Sequence, residues 1–233
     1  MLNSFSFDVV LPCYNPPANW ERMVFTYFKN LKVIYGEQFK ILIIVNDGSL
    51  VALDPGFLRN NVPDLILLDY PQNQGKGYAL RQGVARSTSD FCFYTDLDFP
   101  FGIQPLIASY QKLSGGADIV MGSRNSEYYK MLPIKRWAIS KITNLMNRVL
   151  LRLPFNDTQA GMKGFNQKGR TLFLKTTINT FLFDTEFILL ACHNKLKMET
   201  VLLIPRENIH FSVMKTSVVI RELINFVAVM LKR

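Results

Sequence analysis

Short apolar runs, each closed by a polar or glycine-bearing loop and parted from the next by a segment of helical period, constrain this chain most. Phe7 to Leu11 reads as a buried strand, stopped by Pro12 and the Asn15-Pro16-Pro17 turn. Ile41 to Val45 ends at Asn46-Asp47-Gly48-Ser49, Leu65 to Leu68 forms a third strand, and Phe91 to Thr95 runs into Asp96-Leu97-Asp98. Asp118 to Met121 and Val201 to Ile204 continue the series. Between these runs, Asn19 can cap a helix whose apolar face is Met23, Val24, Tyr27, Phe28, Leu31 and Ile34. Gly75 to Arg86 makes a glycine-led helix, and a loop over Asn156 to Gly164 precedes another helix from about Asp184. Strand and helix in alternation imply an α/β fold, with a mostly parallel central sheet flanked by helices.

A further helix, roughly Ile134 to Leu153, sets Ala138, Ile142, Leu145, Val149 and Leu153 on one side and Lys135, Arg136, Lys141, Arg148 and Arg152 on the other. The basic side suits either a solvated face or contact with a lipid surface or anionic substrate. The chain as a whole carries 27 Lys and Arg against 18 Asp and Glu, a formal charge of +9, which favours anionic partners. Nucleic acid is not expected among them, because the basic residues are dispersed with no recognition helix or stacking motif. Cys13, Cys92 and Cys192 lie far apart in apolar stretches and read as reduced, buried thiols, in keeping with a cytoplasmic location. With only His193 and His210 to join them, a zinc site is not expected. The start of the chain lacks a basic region followed by an apolar one, so no signal peptide is expected. Leu223 to Leu231 contains Asn225 and is far short of the ~20 residues a spanning helix needs.

Ligands of open α/β sheets collect outside the carboxyl ends of the strands, where Pro12 to Asn15, Asn46 to Ser49 and Asp96 to Asp98 all fall. Asp96 and Asp98 are two residues apart, so extended backbone points both carboxylates to one side. Such a pair suits a hard cation, Mg²⁺ or Mn²⁺, with diphosphate oxygens completing its shell. The loop Asn73-Gln74-Gly75-Lys76-Gly77 opens a helix, where glycines allow close approach of backbone amides and Lys76 adds positive charge. It is not a P-loop, since no Ser or Thr follows the lysine.

The motifs VVLPCYNPP, IVNDGS, NQGKGYALRQGV, YTDLD, GSR, DTQAGMKGF and FDTEF come in order across residues 8 to 187. Together they resemble the family 2 glycosyltransferases, in particular the branch of dolichyl- and polyprenyl-phosphate mannose and glucose synthases. The resemblance implies a GT-A fold, a divalent metal, a nucleotide-diphosphate sugar donor, and transfer with inversion at the anomeric carbon. It places Pro12, Tyr14 and Asn15 in the nucleotide pocket, Asp47 at the base or ribose, and Lys76 near the nucleotide. Asp96 and Asp98 would straddle the metal and the sugar. Arg124, Gln159 and Lys163 would sit on the acceptor side, and Asp184 and Glu186 would face the acceptor.

Two departures stand out. Asn46 replaces the first Asp of the common Asp-Asp-Gly-Ser, and Pro100 stands where the lipid-phosphate synthases often carry a Gln. Two acceptors therefore remain open. A saccharide or lipid-linked saccharide hydroxyl would need a carboxylate base, Asp184 first or Asp157 second. A polyprenyl or dolichyl phosphate would need no base and would be positioned by Arg124, Arg136 and Lys163. A non-catalytic nucleotide-sugar-binding protein is the reading from another class. The expected organisation is a catalytic domain over residues 1–210 and an amphipathic C-terminal helix over 211–233. The charge and the basic helix favour reversible attachment to the cytoplasmic face of a membrane.

Overall fold

The computed structural model describes residues 5–155, 157–206, 222, 224–227, 229 and 230. Strand β1 (Phe7–Cys13) lies in parallel between β2 (Phe39–Asp47) and β4 (Phe91–Tyr94). Beyond β2 comes β3 (Leu65–Tyr70), also parallel. On the other flank, β5 (Ile119–Arg124) pairs in parallel with β7 (Met198–Leu203), and β6 (Lys163–Phe165) runs antiparallel between β4 and β5. The result is a seven-stranded sheet in the order β3-β2-β1-β4-β6-β5-β7. The chain turns from one flank to the other at β1 and β4, so the crevice above their carboxyl ends is the place for a ligand.

Alternation along β1 explains the two cores. Phe7, Val9 and Leu11 join one apolar cluster, and Val10 joins the other on the opposite face. The first cluster is covered by α1 (Trp20–Tyr35) and α4 (Gln104–Ser114), through Val24, Phe28, Leu31, Leu106 and Leu113. The second is covered by α3 (Lys76–Val84), α7 (Gln167–Phe173) and α8 (Phe183–His193). Gly83 of α3 packs on Val10 and Val45, where a side chain would collide with the sheet. Short helices α2 (Gly56–Asn61) and α5 (Ser126–Lys130) and the longer α6 (Ile134–Val149) complete the order.

Several local expectations change. Asn19 adopts a left-handed conformation (φ 63°) and its side chain makes no capping bond, so α1 begins at Trp20 without the expected cap. Ile34, expected on its apolar face, is half exposed. The expected loop over 156–164 contains the start of β6, and Asn156 lies outside the described residues. Of the expected C-terminal helix 211–233, only Glu222, 224–227, 229 and 230 are described, and Lys215, Arg221, Lys232 and Arg233 fall outside, as does His210. Phe226 and Val229 are buried against the second cluster, whereas Ile224 and Val227 are exposed. The Glu222 carboxylate accepts from the amides of Phe181 and Leu182, tying this segment to the start of α8.

Asp8 sits in the middle of the apolar β1 and is fully buried. Its carboxylate accepts from the amides of Ile41, Thr88 and Ser89 and from the hydroxyls of Ser87 and Ser89. Asp8→Ala leaves those donors without a partner away from water. The expected loss is at least about 2 kcal/mol, read from urea unfolding.

Candidate active site at the carboxyl ends of the strands

The loops after β1, β2 and β3 are stitched to one another. Asn15, in the left-handed region that Asn tolerates, donates its amide to Ser49 Oγ at 2.8 Å and accepts from the Leu50 amide at 2.8 Å. Asn46 donates to Asp69 Oδ1 at 2.7 Å and accepts from Ser49. It thereby acts as an organiser of the turn. Asp47 is buried, and its two carboxylate oxygens accept from the Gln74 and Gly75 amides at 2.9 and 2.7 Å. The side chain expected at a base or ribose pins the 73–77 loop, with Gly75 at φ 108°. Tyr14 is half exposed beside Pro12. On the far side of Asn15, an open cleft of about 590 Å³ lies between the start of α1 and residues 50–54, containing none of the Asp96 to Asp98 groups.

The end of β4 brings the charges together. Lys76 Nζ, at the start of α3, lies 2.5 Å from Asp96 Oδ1. Burial works against the Lys76 charge, but Asp96 beside it, with Asp184 and Asp98 further off, raises its pKa. The Asp98 carboxyl is held above the usual range, by burial first and by the neighbouring Asp96 second. Arg206 opposes this: it donates to the Asp98 carbonyl at 2.9 Å and lies over the Tyr27 ring. Two carboxylates crowded in this way, all-oxygen and incompletely neutralised, fit a hard divalent cation. Among the described residues no group of three or more His, Cys, Asp and Glu side chains forms a metal cage. A cation here would therefore complete its shell with ligand phosphate and water.

Gly161 presses against this pair. A Cβ built there would sit 2.5 Å from Asp96 Oδ2. Gly161→Ala is expected to push the Asp96 carboxylate aside, weakening cation-dependent nucleotide binding about tenfold, with little change in melting temperature. Calorimetric titration and thermal melting, each against the native protein, read the two effects.

Arg124, Lys163 and Glu186, expected at the acceptor, are each engaged with an internal partner. Lys163 is fully buried; its Nζ lies 2.7 Å from Asp184 Oδ1 and donates to the Ala160 carbonyl at 2.9 Å. Burial lowers the Lys163 pKa and raises that of Asp184, each opposed by the other's charge. The Tyr94 hydroxyl also donates to Asp184, and burial together with Asp184 keeps that phenol protonated. Arg124 forms a fork on Asp157, with Nε to Oδ2 at 2.7 Å and Nη2 to Oδ1 at 2.5 Å, and its backbone amide joins at 3.0 Å. Asp157 thus raises the already high guanidinium pKa against the effect of burial. The Glu186 carboxylate accepts from the amides of Thr177 and Ile178 and from the Thr177 hydroxyl, holding the turn before α8.

These arrangements provide the residues expected at the acceptor with partners inside the protein. Lys163 and Asp184 form an interior ion pair because β6 carries the lysine into the sheet. Glu186 serves the backbone because the first turn of α8 faces inward. Gln159, in the loop before β6, and Arg136, at the start of α6, are half-buried. Residues the sequence did not single out include Gly161, Tyr94, Arg206 and the buried chain Asn147–Thr158–Thr185. Tyr94, Thr158, Gly161 and Thr185 lay inside motifs that could have drawn attention to them, whereas Arg206 and Asn147 lay outside.

Comparisons place the chain among known proteins. The family model Glycosyl transferase family 2 matches residues 8–170. The dolichyl-phosphate beta-glucosyltransferase of Saccharomyces cerevisiae is 26% identical over 220 residues, covering 83% of this chain and 65% of that protein. The dolichyl-phosphate beta-glucosyltransferase of Dictyostelium discoideum is 26% identical over 208 residues, covering 82% and 63%. The chain thus spans less than two thirds of these relatives' length. Among solved structures, mannosyl-3-phosphoglycerate synthase from Rubrobacter xylanophilus superposes with a TM-score of 0.73 at 15% identity, covering 98% of this chain and 74% of that one. Glucosyl-3-phosphoglycerate synthase from Mycobacterium tuberculosis, solved with Mn²⁺, UDP and phosphoglyceric acid, gives 0.65 at 16%, covering 97% and 78%. The fold is GT-A, as the sequence motifs imply.

Proposed function

Because the chain belongs to glycosyl transferase family 2, we propose that it moves a hexose from a nucleotide-diphosphate sugar to a polyprenyl or dolichyl phosphate, with inversion. The observation that carries the choice of acceptor is the state of the two candidate bases. Asp184 is locked between Lys163 and Tyr94, and Asp157 is locked on Arg124. A hydroxyl acceptor would need one of these carboxylates free to take its proton. A lipid phosphate arrives already anionic and needs neither.

On this reading the loops after β1 and β2 hold the nucleotide, with Pro12, Tyr14 and Asn15 as its walls and Asp47 fixing the loop that presents Lys76. Asp96 and Asp98 would hold Mg²⁺ or Mn²⁺, which would supply Lewis-acid neutralisation of the diphosphate. Lys76 adds a second positive charge beside the same group. Arg124, Arg136 and Gln159 position the acceptor phosphate, while Lys163 acts from below by orienting Asp184. A phosphate oxygen forms the new bond to the anomeric carbon as the bond to the diphosphate oxygen breaks. The nucleoside diphosphate leaves with the bonding pair, and no proton moves. The names of the sequence relatives support glucose as the sugar and a dolichyl-type phosphate as the acceptor.

The test is transfer of labelled glucose from UDP-glucose, and of mannose from GDP-mannose, to a short-chain polyprenyl phosphate and to free oligosaccharides. An acid-labile glycosyl phospholipid product supports the reading. Transfer to an oligosaccharide hydroxyl would replace it with the saccharide acceptor.

A further inference from the structure

Helix α6 turns polar side chains inward and, Met146 apart, most of its large apolar ones outward. Its only buried residue is Asn147. Arg136, Ser140, Thr143 and Asn147, at helical spacing, face the protein, and the Ser140 hydroxyl is buried without a partner. The opposite side exposes Ile134 (85%), Ile142 (56%), Leu145 (53%) and Val149 (57%). A helix folding onto a core shows the reverse pattern, and an exposed apolar stripe of this kind marks an interaction surface.

The charges around the stripe identify its occupant. From Tyr128 to Phe155 the described chain has Lys130, Lys135, Arg136, Lys141, Arg148 and Arg152 and no Asp or Glu. Lys141 and Arg148 border the stripe on one edge and Lys135 on the other, all exposed. Trp137, 45% exposed, stands at the same edge as Lys141. We infer that α6 docks in the plane of an anionic phospholipid bilayer, its apolar stripe among the acyl boundary and its lysines and arginines at the headgroup phosphates.

A second copy of the chain fits poorly, because a two-fold contact would bring these cations against one another with no acidic partner. The choice of a bilayer over a protein partner rests on the reading of a lipid-borne acceptor. On the inner side, Asn147 donates to Thr158 Oγ1 at 2.9 Å, next to the Arg124–Asp157 pair. The same helix therefore joins the membrane plane to the acceptor side of the cleft.

The test uses the full chain and vesicles of phosphatidylcholine with or without phosphatidylserine, containing no donor and no polyprenyl phosphate. The native protein is expected to co-sediment with the anionic vesicles and to show a blue shift in tryptophan fluorescence. Trp20 is buried, so the shift reports Trp137 and disappears in Trp137→Phe. Ile142→Asp with Leu145→Asp should bind at least tenfold more weakly while melting like the native protein, since both positions are exposed. Lys141→Glu with Arg148→Glu should lose the preference for phosphatidylserine. Native protein that ignores vesicles, an aspartate variant that binds equally well, or an aspartate variant that instead dissociates a native dimer would each overturn the inference. Transfer to a short-chain polyprenyl phosphate in detergent separates the two claims. Transfer without vesicle binding defeats the docking alone, and vesicle binding without transfer defeats the acceptor reading alone.

Discussion

Asp184→Ala is expected to remove about 3–5 kcal/mol of stability, the usual consequence of stranding one member of a buried ion pair. The Lys163 ammonium would keep the Ala160 carbonyl as its hydrogen-bond acceptor but lose its counter-charge, inside a sheet where its side chain meets no water. The Tyr94 hydroxyl would lose its acceptor at the same time. Asp184→Asn should be milder, because an amide oxygen can still accept from both. The paired replacement Lys163→Met with Asp184→Leu should recover most of the loss, since neither charge then remains to be stranded. Urea unfolding of the set reads the differences. A paired variant as unstable as Asp184→Ala would mean that the two side chains do more than neutralise each other.

The second large effect is on turnover. Asp98→Asn should reduce transfer by roughly 10²–10³, the range found when one group that stabilises developing charge is removed. Asp98 separates chemistry from folding better than Asp96, because Asp96 also holds Lys76. Burial and Asp96 both disfavour the Asp98 charge, so its removal should leave the melting temperature equal or higher. A variant that lost both activity and stability would instead make Asp98 a structural residue. Measuring turnover across Mg²⁺ or Mn²⁺ concentrations checks that the loss follows the cation.

What could be read from residues alone was the alternation. Phe7 to Leu11, Ile41 to Val45 and Phe91 to Thr95 are apolar enough that only a buried strand suits them, and their polar ends mark the crevice. Strand β6 was illegible because Lys163-Gly164-Phe165 contains a charge and a glycine, and its pairing depends on β4 and β5, distant in sequence. Gly164 is there because the Phe93 ring occupies the space of a side chain. The same distance hid the partners of Asp184 and Asp157, which read as free carboxylates until Lys163 and Arg124 were placed beside them. In α6 the period was readable but its direction was not. A solvated basic side implies a buried apolar row, yet Ile142, Leu145 and Val149 face outward. Asp8, alone among apolar neighbours, gave no sign of the five donors gathered around it.

The cleft above β1 and β4 is tested most directly by calorimetric titration of UDP and GDP, with and without Mn²⁺, into the native protein and Asp98→Asn. One nucleotide should bind the native protein in a cation-dependent way, and the variant should lose the cation dependence while remaining folded. Folded native protein that binds neither nucleotide, or binds equally well without the cation and in the variant, would contradict a diphosphate centre at Asp96 and Asp98.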